Sequence, residues 1–259
     1  MWTPDALASE FRPWAGSVWR IVESQSRVST LKLVDTLDEQ AALEDLLDAS
    51  KPPLPPECKG LHYLLSSPFR YAPVNPNGSR FRRPHQREGA FYAAEQVTTA
   101  AAETAFYRVL FHAESKGDTL PANPTEHTAF STAVSTDRLL DLTMAPLDKD
   151  EMLWTDLTQY GPCQDFADAA RRGKAEALRY MSVRDPQRGA NVALLEPRAF
   201  QSTRPDALQT WRFFVRHESV QAVCEMPPYS IEYRLDDPQG WAKDPRIAAF
   251  SARQKPGSL

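Results

Sequence analysis

Arg80, Tyr92 and Glu103 fall within one stretch, GSRFRRPHQREGAFYAAEQVTTAAAETAFYRVLFH, from Gly78 to His112. Their residue types suit an anion and sugar site. Arginine grips phosphate groups with bidentate, charge-assisted bonds. A tyrosine can stack on a ring or donate from its hydroxyl. A glutamate beside a sugar can bind a hydroxyl and meet the positive charge that develops when a glycosidic bond opens. Glu103 sits among Ala100, Ala101, Ala102 and Ala105, with Phe106, Tyr107 and Leu110 at helical spacing. A carboxylate in such company needs a partner, because an unpaired buried charge is expensive. The arginines of the preceding loop, Arg80, Arg82, Arg83 and Arg87, are the nearest strong candidates.

Five elements must position these groups and their neighbours. Ala90 to Ala93 is aromatic and follows a Gly turn, which predicts a strand carrying Tyr92. Val97 to Ala113 lacks Gly and Pro and is rich in Ala and Glu, which predicts the helix carrying Glu103. Leu178 to Val183 predicts a strand carrying Ser182, and Asn191 to Leu195 another. Ser17 to Glu23 predicts a strand with Val18, Arg20 and Val22 on one face and Trp19 and Ile21 on the other. An arginine between two valines either snorkels to water or binds a ligand.

The remaining chain predicts a short helix over residues 4 to 12, capped by Thr3 with Pro4 at its first position. A helix follows from Thr36 to Leu47, with Thr36 and Glu39 at capping-box spacing. The Pro-rich run Lys51 to Pro56 is a stiff connector. Leu61 to Tyr71 is apolar and aromatic, and its Arg70 competes with Arg20 for the role of first site arginine. Ala72 to Gly78 and Lys116 to Pro124 read as loop. A strand is expected near Thr128 to Val134. Helices are expected over Lys149 to Thr158 and Asp165 to Ala177, with a break at Tyr160-Gly161-Pro162. Thr210 to Val215 and Ser219 to Cys224 form a hairpin turning at Arg216 to Glu218. Prolines and charges dominate after Pro227, and Ser251 to Leu259 is a loose tail.

Composition narrows the class. A hydrophobic content of 42% with 25% charged residues is that of a globular chain. The net charge of −4 speaks against direct nucleic-acid binding. No apolar run reaches membrane-spanning length, and the N-terminus has no signal-peptide pattern, so a cytoplasmic protein is expected. Cys58, Cys163 and Cys224 are far apart and odd in number, against a disulfide framework. No Rossmann, P-loop, GxSxG or metal-ligand spacing occurs, so neither a bound cofactor nor a metal is expected.

GSRF, GAFYAAE and TAAAETAFYR, in that order, resemble the RES domain family. Tyr180-Met181-Ser182-Val183-Arg184 followed by Asn191-Val192-Ala193 is similar to the family's serine segment, and Val18-Trp19-Arg20-Ile21-Val22 to its arginine strand. Strands outnumber helices and the helices cluster, which predicts an α+β chain and disfavours a doubly wound sheet. The resemblance implies an ADP-ribosyltransferase-like fold, with two small, mostly antiparallel sheets around a cleft and flanking helices. A single domain over residues 1–250 is expected, with a helical and Pro-rich insert at about 30–60.

The same resemblance implies a toxin of a toxin–antitoxin pair that destroys NAD by phosphorolysis, releasing nicotinamide and ADP-ribose-1″-phosphate. NAD is then a substrate, inorganic phosphate a co-substrate, and an Xre-type antitoxin the partner in a hetero-oligomer. Carried over by motif, Glu103, Arg80 and Tyr92 would be catalytic. Arg20 or Arg70, with Arg80, would hold phosphates, Tyr92 would line the nicotinamide end and Ser182 would contact the ligand. Mono-ADP-ribosylation of a protein through the same cleft is the second enzyme reading. The non-enzyme reading is a binding module that docks an acidic partner on its arginine loop.

Overall fold

The alternation of Trp19 and Ile21 with Val18, Arg20 and Val22 serves a strand that packs against a core on each side. The computed structural model of the protein describes residues 2–24, 33–50, 52–70, 78–115 and 120–254. Expectations for residues 71–77, for Lys51, for the 116–119 part of the polar connector and for the tail after Gln254 lie outside these. Helix α1 (Pro4–Ala8) is capped by Thr3, whose hydroxyl accepts from the N–H of Ala6. Strand β1 (Arg12–Glu23) follows, then helix α2 (Leu37–Ser50). The α2 capping box forms as its spacing predicts: Thr36 Oγ1 accepts from Glu39 N, and Glu39 Oε2 accepts from Thr36 N, both at 3.2 Å. Single turns at Tyr63–Ser66 and Ser67–Phe69 lead to β2 (Phe91–Ala94) and helix α3 (Val97–Glu114).

Strand β3 (Thr125–Asp141) is longer than the alternation near Thr128 to Val134 suggests. After it come short turns at Leu147–Asp150 and Glu151–Trp154, in place of the continuous helix expected over Lys149 to Thr158. Helix α4 (Gly161–Arg172) starts at the Gly-Pro pair read as a break, and it ends before Ala177. A proline suits the first turn of a helix, where its missing N–H has no intrahelical partner to lose. Strands β4 (Ala177–Met181), β5 (Ala190–Leu194), β6 (Ala207–Val215), β7 (Ser219–Cys224) and β8 (Tyr229–Arg234) follow. Helix α5 (Pro245–Gln254) takes in the first residues expected as tail. The charged residues after Pro227 concealed both β8 and α5.

These strands form one sheet of eight in the order β1-β2-β5-β4-β3-β6-β7-β8, in place of the two small sheets expected. The reason is the length of β3. Its 17 residues pair with β1 along one edge, and with β6 and then β4 along the other. β1 pairs with both β2 and β3, so five strands close into a ring from which β6, β7 and β8 extend. Every pairing is antiparallel except β3 with β4.

Register divides the core by face. Val18, Phe91, Phe130, Leu139, Val192 and Leu194 pack together on one face of the ring, under Leu65, Phe69 and Phe200. On the other face α3 and α5 lie over Trp19, Ile21, Trp211 and Phe213, and α1 and α4 over Leu178, Tyr180 and Ala193. Burial of each large side chain contributes about 1.5–3 kcal/mol. The face under α3 is therefore rigid, and it carries the site.

Candidate active site

Small residues let α3 lie close to the sheet: Ala101, Ala102 and Ala105 are fully buried. Glu103 emerges between them, half-buried. Tyr180 on β4 faces Asn191 on β5 in register, and alternation turns both towards α3. Glu103 Oε1 accepts from Asn191 Nδ2 and from Ser182 Oγ, each at 2.7 Å. Its partners are thus neutral donors and not the loop arginines that sequence suggests. Among the described residues Glu103 Oε2 has no partner.

Ser182 follows the last residue of β4 and is almost fully buried. Its hydroxyl donates to Glu103 and accepts from the backbone N–H groups of Arg184 (3.2 Å) and Asp185 (3.0 Å). One donor and two acceptor sites are the full capacity of a hydroxyl. Within the chain these bonds occupy the Ser182 hydroxyl and tie it to the Glu103 carboxylate. The turn that follows is tied to α3 as well, since Thr99 Oγ1 donates to Asp185 Oδ2 at 2.7 Å. Gly189 closes this turn, and a Cβ there would collide with the Thr99 hydroxyl and the Asp185 carboxylate.

Tyr180 feels the charge of the carboxylate, and Tyr92 neighbours Tyr180. The Tyr92 hydroxyl accepts from the N–H of Phe81 at 3.2 Å and shares a proton with Ser79 Oγ at 2.8 Å, so it ties the arginine loop to β2. Burial raises its pKa, while Ser79 and Phe81 work against the rise. Tyr180 is buried, and its ring meets Phe81 edge-on at 4.8 Å. Burial, then the charge of Glu103 and the neighbouring Tyr92, push its hydroxyl well above the usual phenol range. That O–H remains protonated and has no hydrogen-bond partner among the described residues. Tyr180 and Asn191 were absent from the site read in sequence, although both stand in the quoted serine segment. The signal was available, because the strand expected over Leu178 to Val183 sets Tyr180 and Ser182 two apart and on one face.

Arg80 is buried, and its guanidinium is spent on the chain itself. It donates to the carbonyls of Trp154 (2.7 Å) and Asp156 (2.9 Å) and lies over the Tyr160 ring, 4.7 Å from its centroid. Arg83 pairs with Asp165 and Asp168 on α4. Arg20 lies on the face of the ring with Val18 and Phe130, away from α3. Its Nη1 donates to the Tyr92 carbonyl at 2.6 Å, its Nε is buried without a partner among the described residues, and it floors a cleft of about 390 Å³ with Val22, Tyr63, Leu64, Ser67 and Thr128. Burial lowers this guanidinium to about 10, against the pull of Tyr92 and Tyr180. Arg70 donates to the carbonyl of Pro52 at 2.7 Å, beneath that same face. The structure thus joins Glu103 directly to Ser182, and Tyr180, which feels the charges of Glu103 and Arg80 and neighbours Tyr92, links that pair to them. Arg20 meets the group through the backbone of Tyr92, and Arg70 stands apart.

A buried ion pair braces the serine turn. Arg184 Nη1 meets Asp244 Oδ2 at 3.0 Å, with the two side chains 3% and 1% exposed. Burial pushes the Asp244 carboxyl up, but its bonds from Arg246 and the charge of Arg184 hold it below the ordinary range. A folded-state pKa depressed in this way gives stability that is present above the unfolded value, near pH 4, and lost as pH falls through the folded one. We expect the Tm to fall as the protein is acidified below about pH 4, and Asp244→Asn to flatten that part of the profile. Thermal unfolding of both proteins across acid pH checks it; parallel profiles would remove Asp244 from the account.

Among the described residues no His, Cys, Asp and Glu cluster could hold a metal ion, and no helix is long and apolar enough to cross a membrane. Cys58, Cys163 and Cys224 are free and buried. No curated protein matches the chain. One similar solved structure is the M. tuberculosis MbcT–MbcA toxin–antitoxin complex, at 13% identity and a TM-score of 0.43, covering 78% of this chain and 90% of that one. The RES domain matches residues 54–216, which hold the arginine loop, Tyr92, Glu103, Ser182 and Asn191. The match spans more than half of the chain, which therefore belongs to the RES domain family.

Proposed function

We propose that this chain cleaves the glycosidic bond of NAD, with inorganic phosphate as the acceptor, and that it acts as the toxin of a toxin–antitoxin pair. The observation that carries the reading is the state of Glu103: one oxygen is fixed by two neutral donors, and the other is unspent. A carboxylate held without a cationic partner keeps its whole charge for a substrate. In this reading Oε2 binds the ribose 2′-hydroxyl and meets the positive charge at C1′ as the bond to the nicotinamide nitrogen opens. A phosphate oxygen then bonds to C1′, and nicotinamide leaves as a neutral molecule. The Tyr180 hydroxyl, protonated and unpartnered, supplies a donor to the ribose or to the incoming phosphate. Arg80 supports the wall of the site rather than the ligand.

Family membership supports this chemistry, and the resemblance that identified the family implies an Xre-type antitoxin as partner. The test is mass spectrometry of NAD incubated with the purified chain. Nicotinamide together with ADP-ribose-1″-phosphate is expected, only when phosphate is present. Free ADP-ribose without phosphate would make water the acceptor, and a protein gaining the ADP-ribose mass would make it a transferase. Expression should arrest growth, with relief on co-expression of the antitoxin.

A further inference from the structure

The segment after β8 reaches back to the site. It lies beyond the residues matched by the family, 54–216. Trp241 Nε1 donates to the Arg184 carbonyl at 2.6 Å, in a buried contact. Asp244 takes the Arg184 guanidinium from the other side. That guanidinium lies over the Phe106 ring, 3.8 Å from its centroid, and donates onward to the Leu157 carbonyl at 2.7 Å. Phe106 is on α3, less than one turn from Glu103. Arg184 is thereby fixed at its carbonyl and at its side chain, and its N–H in turn points at Ser182 Oγ. The Ser182 proton has one direction left, towards Glu103 Oε1.

We infer that Trp241 and Asp244 are positioning residues for Glu103, acting through Arg184 and Ser182 to fix which carboxylate oxygen faces the substrate. The inference rests on Glu103 being the acting carboxylate, as proposed above. A segment that only braced the fold would need no bond to the carbonyl of the residue whose N–H orients Ser182. Two donors on one carboxylate oxygen leave the other aimed, and loss of one lets the group rotate. Small misplacements of a reacting group cost large factors in rate.

Trp241→Phe is the decisive variant. Phe keeps one aromatic ring facing Tyr233, now 5.1 Å away, and Phe106 at 5.5 Å, while removing the N–H together with part of the indole volume. NAD turnover is expected to fall about tenfold in kcat with little change in KM, the pattern of an interaction that matters only in the transition state. In a Ser182→Ala background the same change should add nothing, because the path is already cut; in an Asn191→Ala background it should still cost. A crystal structure of Trp241→Phe should show the 2.7 Å Ser182–Glu103 bond lengthened or broken. Additive losses with Ser182→Ala, an intact bond, or a lowered Tm with unchanged kcat would each overturn the inference. Asp244→Asn, which keeps an acceptor near Arg184, should show the same lack of additivity with Ser182→Ala if it folds. Wild-type turnover in Glu103→Gln would sink the underlying reading; that result is distinguishable, because the variant changes the carboxylate and leaves the brace intact.

Discussion

Glu103→Gln is expected to lower NAD turnover by about 10²-fold or more while leaving the protein folded, the size of effect seen when one electrostatic stabiliser is removed. The contrast between the two outcomes follows from the hydrogen bonds. Glu103 Oε1 accepts from Ser182 and Asn191, and an amide oxygen can accept both, though without the charge assistance. The reverse amide orientation would set an NH₂ against two donors, so the network itself selects the native one. The amide nitrogen then stands where Oε2 stood. There it can still touch a ribose hydroxyl, but it offers no charge to a developing oxocarbenium. Binding of NAD should therefore change little and kcat should carry the loss. Melting temperature, NAD affinity and single-turnover rates of the two proteins check this together. A folded Glu103→Gln protein with near-wild-type turnover would end the assignment of Glu103 as the catalytic carboxylate.

The need for a partner at Glu103 was legible in sequence, and the partner's identity was not. Four small alanines around a glutamate announce burial, and burial announces a hydrogen bond. The choice between an arginine and Ser182 with Asn191 depends on the β4–β5 register, which pairs Tyr180 with Asn191 and leaves Ser182 just past the strand end. Nothing local fixes that register. Arg20 illustrates the same limit from the other side. Its alternation with Trp19 and Ile21 gave the two faces of β1 correctly. Which face meets α3 follows only once β1 is seen to pair with both β2 and β3. The single sheet is hidden in sequence for a similar reason: Thr, Ser and Ala interrupt the apolar pattern of β3, so the pattern predicts only residues 128–134 of a strand of 17. The brace from Trp241 and Asp244 was illegible because both sit in a charged, Pro-rich stretch whose burial is set by the distant Arg184.

Arg80→Ala is expected to unfold the protein more readily and to leave NAD affinity in the folded molecules close to wild type. Sequence cast this arginine as a phosphate clamp, but its geometry assigns the charge elsewhere. Both terminal nitrogens donate to main-chain carbonyls, Trp154 and Asp156, and the face of the group covers Tyr160. Those carbonyls belong to the segment that joins the Glu151–Trp154 turn to α4, where the chain has no regular ladder to satisfy them. Truncation strands two acceptors and empties a buried site between them. Each lost bond to a charged donor costs about 1.5–3 kcal/mol, so a loss of about 3–6 kcal/mol is expected from the two. For a chain of this size that corresponds to a Tm lower by roughly 10 °C. Arg80→Lys should recover only part of it, because one ammonium cannot reproduce the fork that reaches both carbonyls. Turnover per folded molecule should drop less than in Glu103→Gln, since the acting oxygen is untouched. The measurement is thermal unfolding beside calorimetric NAD titration below the melting range. A variant with wild-type stability and NAD affinity weakened tenfold or more would return Arg80 to the ligand and overturn its place in the wall.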